Sequence, residues 1–251
     1  MAKRGVRKAR WFKVHAFANL LVCFTCLTSL FTVAVDPVDS MNCLKHSDRS
    51  LFGSASRWPL ITINAVHVYH MIGGFNLGSA DYFHHLLFIP LIGFPGQFYC
   101  YGALGNWQAF FISGLPGGLS YLFLALVKEG KMKKLTEKRY TANLNVWMRC
   151  PGILVVTVLG YCHLLHGRHL VPLPAILVQL LLPPYNALHY NKEATANYAV
   201  HYMLGLFKNE GAEFEKKICE SSRGGFDDGL AFIAYRRGFE LTPPPPPSPP
   251  P

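Results

Sequence analysis

Four histidines and one aspartate fall within 19 residues of this chain, in HVYHMIGGFNLGSADYFHH from His67 to His85. Imidazole ligates metals and is the side chain whose charge changes near neutral pH. On a helix Asp81 and His84 are spaced i,i+3, and Asp81 and His85 i,i+4, so the carboxylate and the paired rings share neighbouring faces. An aspartate so placed orients an imidazole, sets its tautomer and stabilises the imidazolium. Asp81, His84 and His85 are therefore the candidate catalytic residues. The histidine pair would deprotonate an amine or hydroxyl nucleophile that attacks an activated acyl donor. A metal site would instead draw on His67, His70, His84 and His85. Packing alone is a third role, because polar side chains inside membrane spans hydrogen-bond across helices.

The surroundings of these residues set the frame. Of 251 residues 51% are hydrophobic and 15% charged, against about 25% charged in an ordinary soluble domain. Between Arg57 and Lys128 the only charged side chain is Asp81. Such a stretch cannot coat a soluble surface, and it is long enough for several bilayer crossings. The net charge of +10 is gathered in MAKRGVRKARWFK, in KEGKMKKLTEKR and in the C-terminal tail. That is the pattern of segments flanking membrane helices, without the aromatic-interleaved basic surface of nucleic-acid binders. No nucleic acid is expected as a partner.

About six spans are predicted, at 16–35, 59–78, 82–101, 107–127, 146–166 and 170–189, giving an all-α, polytopic transmembrane helix bundle. The first is an anchor rather than a cleaved leader, because it is too long and lacks an A-x-A exit. Residues 1–15 form a basic N-terminus, 36–58 a loop, and 208–251 a tail ending in a polyproline run suited to an SH3- or WW-type module. The N-terminus and the 128–145 loop each hold six Lys or Arg; the 36–58 loop holds three, balanced by three aspartates. This bias places both termini in the cytoplasm and residues 36–58 outside it. Pro90, Pro95 and Pro151 break the third and fifth spans, which requires neighbours to satisfy the freed backbone groups.

This topology separates the histidines. At 1.5 Å per residue, His70 lies roughly 12 Å inside the cytoplasmic boundary and His84 about 5 Å. His163, His166 and His169 fall at the opposite face, as polar groups at a span end. HVYH is then a mid-membrane packing face, and DYFHH the place for chemistry. His189 and His201 are expected in packing roles. Cys23 and Cys26 form a CxxC without a second pair, so zinc is not expected. Cys43 stands alone in the first loop, and no disulfide framework is predicted.

DYFHHLLFIPLIG, YGALGNWQAFFISGLPGGLSYLF and the basic loop leading to RYTANLNVW with Arg149 resemble the TRAM/Lag1/CLN8 (TLC) domain of eukaryotic endomembranes, over residues 59–207. The resemblance implies a helical membrane domain with a lipid-accessible cavity, lipid metabolism or lipid homeostasis as its setting, membrane lipids as partners, and the endoplasmic reticulum or another endomembrane as location. It also implies acyl transfer from acyl-CoA, with His84 and His85 matching the histidine pair of ceramide synthases; no resident cofactor follows. The continuation LLFIPLIGFPGQFYCYG lacks the synthases' aspartate pair, which brings the chain nearer the non-synthase TLC-domain proteins. The metal alternative is similar to the histidine boxes of membrane desaturases and hydroxylases. HVYH resembles the HVYHH box of fatty-acid elongases, with Met71 in place of the last histidine.

Overall fold

The computed structural model describes residues 9–73, 79–167 and 170–209, with the side chains of 79–81 and 206–209 left aside. All regular structure among them is helical. We number six helices: α1 Arg10–Val35, α2 Trp58–Ile72, α3 Ser79–Phe88, α4 Gly102–Lys128, α5 Lys134–His166 and α6 Leu173–Asn209. A π-helical turn, Ile89–Gly93, and a short turn, Pro95–Phe98, carry α3 onward. The six helices answer the six predicted spans. Three of them, α1, α4 and α5, are long and apolar enough to cross a membrane by themselves. The proline tail, Arg168 and His169 lie outside the described residues.

The chain divides into two units, Met1–Thr195 and Ala196–Pro251. In the second, the end of α6 carries a Tyr198–Tyr202 ring contact, and His201 Nδ1 donates to the Asn197 carbonyl at 2.8 Å. Everything below concerns the first.

Helix α1 shows why the bundle suits a bilayer. Its exposed face is Phe17, Leu20, Phe24, Leu27 and Phe31, at helical spacing, whereas its buried face includes His15, Asn19, Thr25 and Ser29. A soluble helix is apolar inwards; here polar groups face the bundle and aromatic groups face out. The inward polar groups find partners on other helices, as they must where no water is present. Asn106 Nδ2 donates to Ser29 Oγ at 2.9 Å, Ser113 Oγ to Asn19 Oδ1 at 2.9 Å, and Gln108 Nε2 to Gln179 Oε1 at 2.9 Å.

The prolines leave a repeated signature. The π-helical turns Ile89–Gly93, Phe110–Gly114 and Asn145–Arg149 each end two residues before a proline, at Pro95, Pro116 and Pro151. Proline has no N–H to give the preceding turn, and its ring crowds the carbonyl four residues back. Widening to i→i+5 relieves the crowding without breaking the helix. The Gly93 carbonyl, at the end of the first of these turns, accepts from Asn64 Nδ2 at 3.1 Å. The predicted break at Pro151 is thus a bulge in one continuous helix, whose π-helical turn carries Arg149, whereas the third predicted span turns at Phe94 before Pro95.

Two differences from expectation alter the architecture. Helix α1 begins at Arg10 rather than Ala16, because nothing in RWFKVH stops a helix. Its added turns bring Trp11 and His15 into the bundle. Cys43 is not alone: it is bonded to Cys100, with the two Cα atoms 6.2 Å apart. The loop is further tied by Leu104 N–H donating to the Ser40 carbonyl at 3.1 Å. Gly102, at φ +58°, permits that approach; a Cβ there would lie 2.5 Å from Ser40 O.

At the other end of the bundle Lys13 pairs with Glu129, which also meets Lys131 at 2.9 Å. The start of α1 and the end of α4 therefore share one end, as the charge bias requires. Hydrogen bonding first from Lys13 and then from Lys131 holds the Glu129 carboxyl down to about 2. A depressed carboxyl contributes stability above its unfolded value, near 4.5, and loses it as pH falls towards 2. The thermal midpoint of Glu129→Gln should thus lie slightly below wild type at pH 7, and the gap should close between about pH 4.5 and 2. A gap unchanged at pH 2.5 would show the pair to be irrelevant.

Candidate functional site: a histidine cluster between the helices

Five imidazoles meet at the end of the bundle that holds Lys13 and Glu129. His15 comes from α1, His67 and His70 from α2, and His84 and His85 from α3. The separation by depth expected from the sequence does not hold. His84 Nε2 lies 3.3 Å from His67 Nε2, and His70 Nδ1 lies 3.2 Å from His85 Nε2. His15 Nε2 contacts both ring nitrogens of His70. Depth counted at 1.5 Å per residue from one common boundary leaves out how α2 and α3 shift and tilt against each other. HVYH belongs to the site and is not a separate packing face.

Local sequence explains how each group arrives. His67 and His70 are i,i+3 on α2 and both are buried. His84 and His85 are adjacent on α3, so their rings diverge by about 100° around the helix. One ring meets His67 and the other His70, and the centroids of His84 and His85 lie 5.3 Å apart at 90°. Trp11 stacks on His70 at 3.6 Å and 2°, and Tyr121 of α4 stacks on His15 at 4.1 Å. Arg10 Nη2 donates to Tyr69 Oη at 3.1 Å beside them.

The hydrogen bonds dictate tautomers. His67 Nδ1 lies 2.6 Å from the Ile63 carbonyl, which can only accept, so Nδ1 carries the proton. With the rings neutral, His67 Nε2 is an acceptor and His84 Nε2 must donate to it. His84 Nδ1 is then the acceptor, and it receives the Tyr190 hydroxyl proton across 3.1 Å. The order is Tyr190 O–H to His84 Nδ1, His84 Nε2–H to His67 Nε2, and His67 Nδ1–H to Ile63 O. A proton arriving at His84 Nδ1 leaves Nε2–H donating, so His67 supports the imidazolium.

Among the sequence-predicted residues, His84 and His85 are brought together with His67 and His70. Asp81 lies on α3, but its side chain is outside those described. The orienting partner seen for His84 is His67. Sequence reasoning missed His15, Tyr121 and Tyr190. The signal for His15 was its place within one helical turn of an uncharged run; nothing local marked the tyrosines. Arg149 of α5 is an electrostatic neighbour of His84, Tyr121 and Tyr190. Each of the six helices thus supplies at least one polar group here.

His70 Nδ1 lies 3.2 Å from His15 Nε2 and 3.2 Å from His85 Nε2. Among the described residues no three His, Cys, Asp or Glu side chains gather about one point as a single metal ion requires. His163 lies at the far end, as expected, where its Nε2 accepts the Met41 N–H at 3.3 Å. His189 packs against Phe83, Tyr185 and Tyr190. A small cavity bordered by Met41, Tyr101, Gln108 and Gln179 also lies away from the cluster. No family model, curated protein or solved structure matches this chain.

Proposed function

We propose that this multi-pass membrane protein handles a membrane lipid, using the histidine cluster for acid–base chemistry of the acyl-transfer type. The observation that carries this is the ordered chain from Tyr190 through His84 to His67. It presents one basic nitrogen, His84 Nδ1, backed by a ring that accepts from its other nitrogen. His84 is the general base and His67 positions it. A hydroxyl or amine of the acceptor lipid takes the place of Tyr190 at Nδ1 and loses its proton there as its oxygen or nitrogen attacks the acyl carbonyl. Collapse of the tetrahedral adduct breaks the bond to the leaving thiolate of acyl-CoA, and His84 returns the proton to it. The TLC resemblance supports the lipid substrate, and the buried setting supports chemistry away from bulk water.

The Cys43–Cys100 bond supports an endomembrane location with that end of the bundle facing an oxidising lumen. The histidine end then faces the cytoplasm, where acyl-CoA is found.

The test is lipid profiling of cells carrying wild type, a full deletion, or His84→Ala with His85→Ala at matched expression. The double variant should reproduce the deletion profile. A wild-type profile from the variant, beside an altered one from the deletion, would leave the histidines with packing alone. Iron or zinc at one equivalent in purified protein would favour an oxidoreductase instead.

A further inference from the structure

We infer that Arg149, with Asn19 near it, holds an oxyanion group of an amphiphile, a phosphate or carboxylate, next to the histidine cluster. The inference rests on the acid–base role proposed above and names how its substrate is held.

Arg149 closes the π-helical turn of α5 and points into the bundle. Its Nη1 donates to Asn145 Oδ1 at 2.7 Å, while its Nε is enclosed without a hydrogen-bond partner. Among the described residues no carboxylate lies within ion-pair distance of it. A cation in the interior of a membrane bundle is retained where it meets a partner charge or a functional ligand. Its described neighbours include no anion: they are Asn145, Asn19, Tyr121, Tyr190, Cys150 and the proposed base His84.

Gly117 lets Asn19 of α1 and the Arg149 guanidinium come close at this point. A Cβ there would lie 3.1 Å from Asn19 Nδ2 and 3.9 Å from Arg149 Nη2. Asn19 Oδ1 already accepts from Ser113 Oγ at 2.9 Å, which leaves the amide nitrogen turned towards Gly117. Two N–H donor groups therefore stand near one another, and neither offers the other an acceptor. Such a pair selects a ligand that brings only acceptors, with the guanidinium able to hold two oxygens at once. Tyr190, in hydrogen-bond contact with His84, also lies within electrostatic reach of Arg149, so a headgroup held here sits beside the proposed base.

The test uses full-length protein in neutral phosphatidylcholine nanodiscs with three probes: oleate, dioleoyl phosphatidic acid and oleoyl-CoA. At least one should raise the wild-type thermal midpoint, and the one that does distinguishes a free carboxylate, a lipid phosphate and an acyl donor. Arg149→Gln should retain that probe about tenfold less than wild type, and Arg149→Lys should fall between them. Gly117→Ala keeps the guanidinium and presses a methyl group on Asn19 Nδ2, and should also weaken retention. His84→Ala should still retain the probe, which separates capture from reaction. Equal retention by wild type and Arg149→Gln overturns the inference. So does the absence of any probe effect on wild type, a result that needs no variant to fold.

Discussion

On the proposed acyl-transfer function, His84→Ala should lower lipid turnover by about 10²–10⁴-fold, the usual loss when a positioned general base is removed. The residue is singled out because its two nitrogens have different duties. Nδ1 faces the Tyr190 hydroxyl at 3.1 Å, and Nε2 is committed to His67 at 3.3 Å. Tyr190→Phe removes one hydrogen bond and leaves the base in place, so a loss of about tenfold or less is expected. His67→Ala removes the acceptor that supports the imidazolium and should fall between these two. His67→Gln restores an acceptor oxygen and should recover part of the activity, a rescue that a packing role alone would not produce. Groups acting as one unit are not additive, so His67→Ala with His84→Ala should be no worse than His84→Ala. Equal losses across the whole series would instead indicate collapse of the cluster.

Cys43→Ser should lower the stability of the purified protein by about 2–4 kcal/mol. The bond to Cys100 spans 57 residues, for which loop-closure entropy alone gives about 4 kcal/mol. Helices that persist in the unfolded state within detergent or lipid reduce that figure. The thermal midpoint should fall by roughly 5–15 °C for a chain of this size. Cys100→Ser should behave identically, the double variant no worse, and a membrane-impermeant reductant should reproduce the effect in vesicles that expose this end. The consequence reaches beyond the loop, since Leu104 N–H donates to the Ser40 carbonyl and His163 receives the Met41 N–H. Wild-type stability in Cys43→Ser would show that these backbone ties suffice.

How legible was this in the sequence? The spans could be read because bilayer crossing is a one-dimensional property: uncharged length and flanking Lys and Arg. His84–His85 could be found because adjacent rings near an acidic residue form a local pattern. The disulfide could not, since Cys43 and Cys100 are far apart in the chain and neither sits in a cysteine motif. His15 falls in the basic N-terminal segment when the first span is read from residue 16. Arg149 is the one Lys, Arg, Asp or Glu in the fifth predicted span, and the structure seats it among Asn19, Asn145, Tyr121 and Tyr190.

The sequence by itself determined that the chain is an all-helical bundle with helices suited to a bilayer, and which pair of histidines to examine. Hydrophobic length, charge placement and i,i+3 spacing are local quantities, and they survive without knowledge of neighbours. Only the tertiary structure decided that HVYH, DYFHH and His15 are one cluster, and that His84 is the ring joined to Tyr190. Which nitrogen meets which depends on how helices rotate and shift against one another. Packing around Gly117 and the proline-linked π-helical turns settles that, and no periodicity along one helix encodes it.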